Sequence, residues 1–129
     1  MLSGEYVKTK NLVNKLLKAK LEVFPQEGYA VNASCDQGVY IIYGPDRAVL
    51  HIGRTLRAKN GLRQRLKNHL RGQSSFVHTF LKGKKDRLRD KCLYGYLVIP
   101  DSRCRALTEA LAIGILCPKH LGLGDKKLI

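Results

Sequence analysis

The sequence predicts a mixed α/β domain of the α+β type, and three observations carry that expectation. Two runs rich in β-branched and aromatic residues, GVYIIY at 38–43 and AVLHIG at 48–53, flank a Gly-Pro-Asp turn. A third such run, CLYGYLVI, follows at 92–99. Around them, leucines recur at helical spacing. With 129 residues, 44% of them hydrophobic, the chain can enclose one core and is short for two. The expected division is an N-terminal amphipathic helix and connection over 1–37, one domain over 38–120 and a short tail over 121–129.

Leu12, Val13, Leu16, Leu17 and Leu21 form the apolar side of the first helix, with Lys8, Lys10, Lys15, Lys18 and Lys20 between them. Phe24-Pro25 should end it, because proline cannot continue a helix and biases its predecessor toward extended geometry. Residues 26–37 lack periodicity and read as a connection. In the hairpin, alternation puts Val39, Ile41 and Tyr43 on one face and Tyr40 and Ile42 on the other; in the second strand Val49, His51 and Gly53 share a face opposite Leu50 and Ile52. The register between the strands is left open.

Leu62, Leu66 and Leu70 then mark a helix over about 60–71, closed by Gly72. Arg65 and His69 are neighbours along one side of it, and Arg63 and Lys67 along another. Ser74 or Ser75 is placed to cap a short helix carrying Phe76, Phe80 and Leu81, and KGKKDRLRDK at 82–91 reads as a charged loop or the approach to a strand. After the third strand and Pro100-Asp101, a last helix runs to about Leu116. Glu109 is the single ionisable residue in its ALTEALAIGIL body. A carboxylate among Ala, Leu and Ile must stay near the surface, pair with a base or bind a cation.

Charge narrows the function. The chain carries +14, and residues 54–91 alone hold thirteen Lys and Arg against two Asp, a net of +11. Such a block fits a polyanion, and no Trp, Phe or Leu-rich amphipathic face accompanies it to favour a membrane. Nucleic acid is the expected partner. No apolar run approaches the roughly 18 to 20 residues of a membrane span, and MLSGEYVKTK has no apolar signal core. The four cysteines lack paired spacing, so buried free thiols are expected rather than zinc or disulfides, and the expected location is intracellular, cytoplasmic or nuclear. His78 and His120 belong to no pattern and read as structural or surface residues.

GVY at 38–40, HIG at 51–53, the following Arg54, the G-L-R-x-R-L-x-x-H run at 61–69 and E-A-L-A-I at 109–113 together resemble the GIY-YIG nuclease superfamily, over roughly residues 38–118. The resemblance implies a GIY-YIG-like nuclease domain, a small three-stranded antiparallel sheet flanked by helices, to which the N-terminal helix is extra. It implies hydrolysis of DNA phosphodiester bonds with a divalent metal, Mg2+ or Mn2+. By the same resemblance, Tyr40 lies at the attacking nucleophile, Arg65 stabilises charge on the scissile phosphate, His69 lies near the phosphate and Glu109 holds the metal. His51 stands where the second motif opens with tyrosine, and His can serve as the proton-transfer group instead. Arg54 falls where a phosphate contact is expected, and Arg57, Lys59, Arg63, Lys67 and Arg71 extend the substrate-binding surface.

The chemistry fits these types: an activated water, neutralisation of developing charge and help for the leaving oxygen. Arginine offers a phosphate two parallel hydrogen bonds, and Mg2+ is commonly held by one carboxylate with water and phosphate oxygens. Two departures support an alternative. His51 replaces tyrosine, and CPKHL at 117–121 lacks the asparagine often found there. On that alternative the chain is a catalytically degenerate module binding DNA or RNA within a larger assembly. A homodimer is also expected as one way for so small a nuclease to cut both strands.

Overall fold

The computed structural model describes residues 2–57 and 59–121. The first helix, α1 (Gly4–Leu17), starts where the Ser3 hydroxyl accepts the Tyr6 N–H at 3.0 Å, with Glu5 in the first turn. It ends before the expected Phe24-Pro25 stop. Leu21, at helical spacing from Leu17, reaches β4 from the linker instead, its Cδ2 close over Gly95, and Glu22–Val23 pair with Tyr94 and Leu93 as β1. The helical periodicity thus continues into residues whose backbone finds partners on a sheet edge.

The sheet contains β2 (Gly38–Tyr43), β3 (Val49–Arg54) and β4 (Leu93–Val98), joined antiparallel in the order β1-β4-β2-β3. The three expected strands are its body, and two-residue β1 is an added edge. Every residue of central β2 is buried. Its faces divide as alternation requires: Tyr40 and Ile42 pack with Leu62, Leu66 and Leu70, while Val39, Ile41 and Tyr43 meet Val13 and Leu16 of α1. Each fully buried leucine or isoleucine there stabilises the fold by roughly 1.5 to 3 kcal/mol.

Strict alternation fails in β3. Ile42 pairs with His51 and Tyr43 with Val49, which leaves Leu50 as an extra residue. This bulge turns Val49 toward the α1 side and lets Leu50 join His51 on the α2 side. His51 and Gly53 therefore share the Tyr40 face, but Val49 does not share it with them. Gly53 lies opposite Tyr40, and any Cβ there would collide with the Tyr40 ring and hydroxyl.

Helix α2 (Gly61–Leu70) starts without a side-chain cap; Leu62 and Arg63 N–H groups instead donate to the Asp36 and Ser34 carbonyls of the connection, at 3.0 and 2.9 Å. A π-helical turn (Phe76–Phe80) and a short 3-10 turn (Lys85–Arg87) follow. Ser74 rather than Ser75 caps the π turn, its Oγ accepting the Val77 N–H at 3.2 Å. Helix α3 (Ser102–Leu116) is capped by Asp101 Oδ2, which accepts the Cys104 N–H at 2.9 Å, and packs on α1 and β3. Arg105, in its first turns, is buried and donates to four carbonyls, of Thr55, Leu56, Ile99 and Pro100, at 2.8 to 3.1 Å. It ties the segment after β3 to the start of α3.

All four cysteines are free thiols, but only Cys92 is buried; Cys35 and Cys117 are exposed. Cys117 sits in the left-handed conformation that ends α3, and a helix end is solvent-facing. The expected tail at 121–129 lies, apart from Leu121, outside the described residues. Among the described residues no helix is long and apolar enough to cross a membrane.

Candidate functional site

The site forms at the β3 edge, where three elements converge on one face of the hairpin. Tyr40 and His51 project from the same side of β2 and β3. Leu62, Leu66 and Leu70 seat α2 on that side, and the neighbouring row of α2 brings Arg65 and His69 over the tyrosine. His69 Nε2 lies 2.8 Å from the Tyr40 hydroxyl oxygen, and Arg65 Nη2 donates to the same oxygen at 3.5 Å. On its other side His69 Nδ1 is 2.7 Å from Ser74 Oγ.

Phe76, from the π turn, stacks on the His51 ring at 5.0 Å and meets His69 edge-on at 5.8 Å. His51 Nδ1 meets His120 Nδ1 at 3.0 Å. Backbone bonds hold His120 there, its N–H donating to the Leu50 carbonyl at 2.8 Å beside that of Lys119 to Val49 at 3.2 Å. From α3, Glu109 Oε1 lies 3.4 Å from Arg54 Nε, both side chains partly exposed.

These groups border an open cavity of about 640 Å³, lined by His51, Arg54, Arg65, His69, Ser74 and Glu109 among others. Tyr40 is 0% exposed and lies behind His69 and Arg65. Burial pushes its phenol above the usual range, opposed by Arg65. Burial also pushes His51 down to about 3, helped by His120 and Arg65. His69 is held well below the usual histidine range, by burial first and then by His51 and Arg65. His51 and His69 are therefore neutral at neutral pH. Burial raises the Glu109 carboxyl against the pull of Arg54 and Arg65. Arg65 Nε is buried without a hydrogen-bond partner among the described residues, so part of its donor fork is unspent.

The structure thus brings together Tyr40, His51, Arg54, Arg65, His69 and Glu109. It does not bring Arg57, Lys59, Arg63, Lys67 or Arg71 to the cavity; all five are exposed. Two residues on, at roughly 100° per residue, Arg63 and Arg65 face opposite ways, and Arg63 Nε donates to the Ala33 carbonyl at 3.1 Å.

Two residues were read otherwise from the sequence. Ser74 was read only as a candidate cap. His120 was read as structural or surface, whereas it is buried against His51. No spacing rule links positions 69 apart.

Among the described residues no group of three or more His, Cys, Asp and Glu gathers as a metal cage. Among the described residues Glu109 is the one acidic residue lining the cavity. One half-buried carboxylate facing an open, wet space suits an ion of the Mg2+ type, which keeps most of its waters. It does not suit zinc, which takes three or four protein ligands. The donor set fits a magnesium-like ion.

No protein-family model matches the chain, and no characterised protein matches it in sequence. Among solved structures it is similar to the GIY-YIG N-terminal endonuclease domain of UvrC from Thermotoga maritima bound to its catalytic divalent cation, magnesium. Identity is 26%, the TM-score 0.50, and the match covers 68% of this chain and 85% of that one. A point mutant of the same domain, bound to its catalytic divalent cation, matches with the same identity and TM-score over 68% of this chain and 84% of that one.

Proposed function

Starting from a chain that has the GIY-YIG superfamily fold, we propose that it is a metal-dependent endonuclease that hydrolyses DNA phosphodiester bonds. The observation that carries the reading is the convergence of Arg65 and His69 from α2, His51 from β3 and Glu109 from α3 on one open basic-rimmed cavity. A bound Mg2+, held by Glu109, would supply Lewis-acid stabilisation of phosphate oxygens. Arg65, with Nε unspent, neutralises charge as it develops on the phosphate. With His51 Nδ1–H donating to His120 Nδ1, Nε2 is bare and is the nitrogen that takes a proton from water. Tyr40 lies behind the cavity and acts through the two side chains it touches, holding His69 and Arg65 in place. Arg54 screens the carboxylate and is placed to reach a phosphate.

One observation favours a second reading. Glu109 already has a cation beside it in Arg54, and a site so paired can bind nucleic acid without cutting it. Cleavage of plasmid, branched and single-stranded DNA and structured RNA with Mg2+ or Mn2+, comparing wild type with Glu109→Ala and Tyr40→Phe, separates the two. The nuclease reading requires cleavage by wild type and a loss of at least about a thousandfold in Glu109→Ala with binding retained. Tight, salt-sensitive binding with no cleavage would establish the non-catalytic module.

A further inference from the structure

Hydrogen-bond accounting around Tyr40 assigns a role to Ser74. The Tyr40 oxygen has two partners, Arg65 Nη2 and His69 Nε2. Ser74 Oγ also has two, the Val77 N–H and His69 Nδ1. An arginine nitrogen and a backbone N–H can only donate, so each of these bonds has a fixed direction. The two bonds of His69 do not, because a neutral imidazole donates from one nitrogen and accepts at the other.

Two arrangements are possible. In the first, Ser74 donates to His69 Nδ1, and His69 Nε2–H donates to Tyr40. The phenol oxygen then accepts two bonds while its own hydrogen has no acceptor, at a residue that is 0% exposed. In the second, Tyr40 O–H donates to His69 Nε2, and His69 Nδ1–H donates to Ser74 Oγ. The displaced hydrogen is now that of Ser74, which lines the cavity and can give it to water or to a bound anion. A buried orphan donor is costly, whereas one facing solvent is not. The second arrangement satisfies every group.

We propose that the buried Tyr40 hydroxyl holds His69 as the Nδ1–H tautomer, that Ser74 Oγ accepts that hydrogen, and that the Ser74 hydroxyl hydrogen is thereby turned into the cavity as a donor for a phosphate oxygen. The first half concerns the free protein; the second rests on the nuclease reading above. The chain runs from Arg65 through Tyr40 and His69 to Ser74, all donors pointing one way, so its open end is the serine. Position 74 suits this because the cap bond from Val77 fixes Oγ from the far side.

The test is the tautomeric state of His69, read by long-range 1H–15N NMR on the free 129-residue chain, with the resonance assigned through a His69→Gln variant. Wild type should show Nδ1 protonated and Nε2 bare. Tyr40→Phe, which removes the donor to Nε2, should lower the Nδ1–H to Nε2–H ratio about tenfold, whereas Ser74→Ala should leave Nδ1 protonated. An Nε2–H tautomer in wild type, or an unchanged ratio in a folded Tyr40→Phe, overturns the proposal; the wild-type spectrum decides even where the phenylalanine variant does not fold. In cleavage assays Ser74→Ala should lower kcat/KM about 10- to 100-fold with Ser74→Thr close to wild type. Absence of cleavage by wild type with Nδ1–H present would remove the nuclease reading and the phosphate contact but leave the tautomer assignment standing. Equal kcat/KM in wild type and Ser74→Ala would remove the phosphate contact alone.

Discussion

His51 and His120 meet through their Nδ1 atoms 3.0 Å apart, on a strand and on the segment following the last helix, with Phe76 stacked against the first ring. One ring must donate and the other accept, so the contact requires that at least one of the two be neutral. Protonating both would place two like charges side by side in a buried site.

That requirement fixes an acid sensitivity. The folded value of His51, about 3, lies below its unfolded value near 6.5, so the unfolded chain takes up the proton first as pH falls. The stability His51 contributes is complete above about pH 6.5 and is lost as pH drops toward about 3. His69, also held well below the usual range, acts in the same direction. Between pH 6.5 and 5, His51 alone should lower unfolding free energy by roughly 2 kcal/mol. Urea denaturation at the two pH values checks this, and His51→Gln should flatten the dependence. An equal slope in that variant would mean the histidine is not held neutral.

Arg54 competes with any cation for Glu109. Because both side chains are partly exposed, the pair itself contributes at most about 0.5 to 1 kcal/mol to stability. Arg54→Ala should therefore change the melting temperature little and tighten Mg2+ binding to the free protein a few-fold, measured by calorimetric titration. Weaker metal binding in the variant would show that the arginine orients the carboxylate rather than shielding it.

Arg105 makes a sharper structural prediction. Its guanidinium holds four carbonyls from two segments, and among the described residues no carboxylate pairs with it. Arg105→Met keeps much of the volume but strips those oxygens of their donor, and should cost about 3 to 5 kcal/mol. Arg105→Lys should recover only part, because an ammonium cannot reproduce the planar fork. Thermal unfolding of the two variants distinguishes loss of charge from loss of geometry.

The exposed bases outside the cavity should act through nucleic-acid affinity alone. Arg57, Lys59, Lys67 and Arg71 are exposed, and each that contacts a phosphate contributes about 0.9 to the slope of log K against log salt. Substituting Lys67 and Arg71 together by Gln should weaken DNA binding at low salt and lower that slope by up to about 2. Binding titrations over a range of salt test this; an unchanged slope would place the nucleic acid on another face.

Much of this was legible in the sequence because it rests on local period and composition. The division of Tyr40 and Ile42 from Val39, Ile41 and Tyr43 follows from alternation alone, and the ridge of Leu62, Leu66 and Leu70 fixes which side of α2 faces the sheet. Glu109 stood out because its neighbours are apolar. What was not legible depends on contacts between distant segments. The bulge at Leu50 is a register event between two strands, and β1 exists because β4 offers an edge. The clamp of Arg105 on carbonyls is invisible to side-chain patterns, since every residue carries a carbonyl. His120 and Ser74 acquire their roles from His51 and His69, which are brought to them by the fold.

The backbone bonds of Lys119 and His120 to β3 have a consequence for the protein's behaviour in concentrated solution. A four-stranded sheet presents two borders, each able to recruit strands from another molecule. Here one border is the two-residue β1, too short to template a partner, and at the other the carbonyls of Val49 and Leu50 are already occupied. Removing the chain from Pro118 onward would therefore do more than delete a histidine. It would open a strand edge beside apolar Val49 and Leu50, and the shortened protein should self-associate where the full chain stays dispersed.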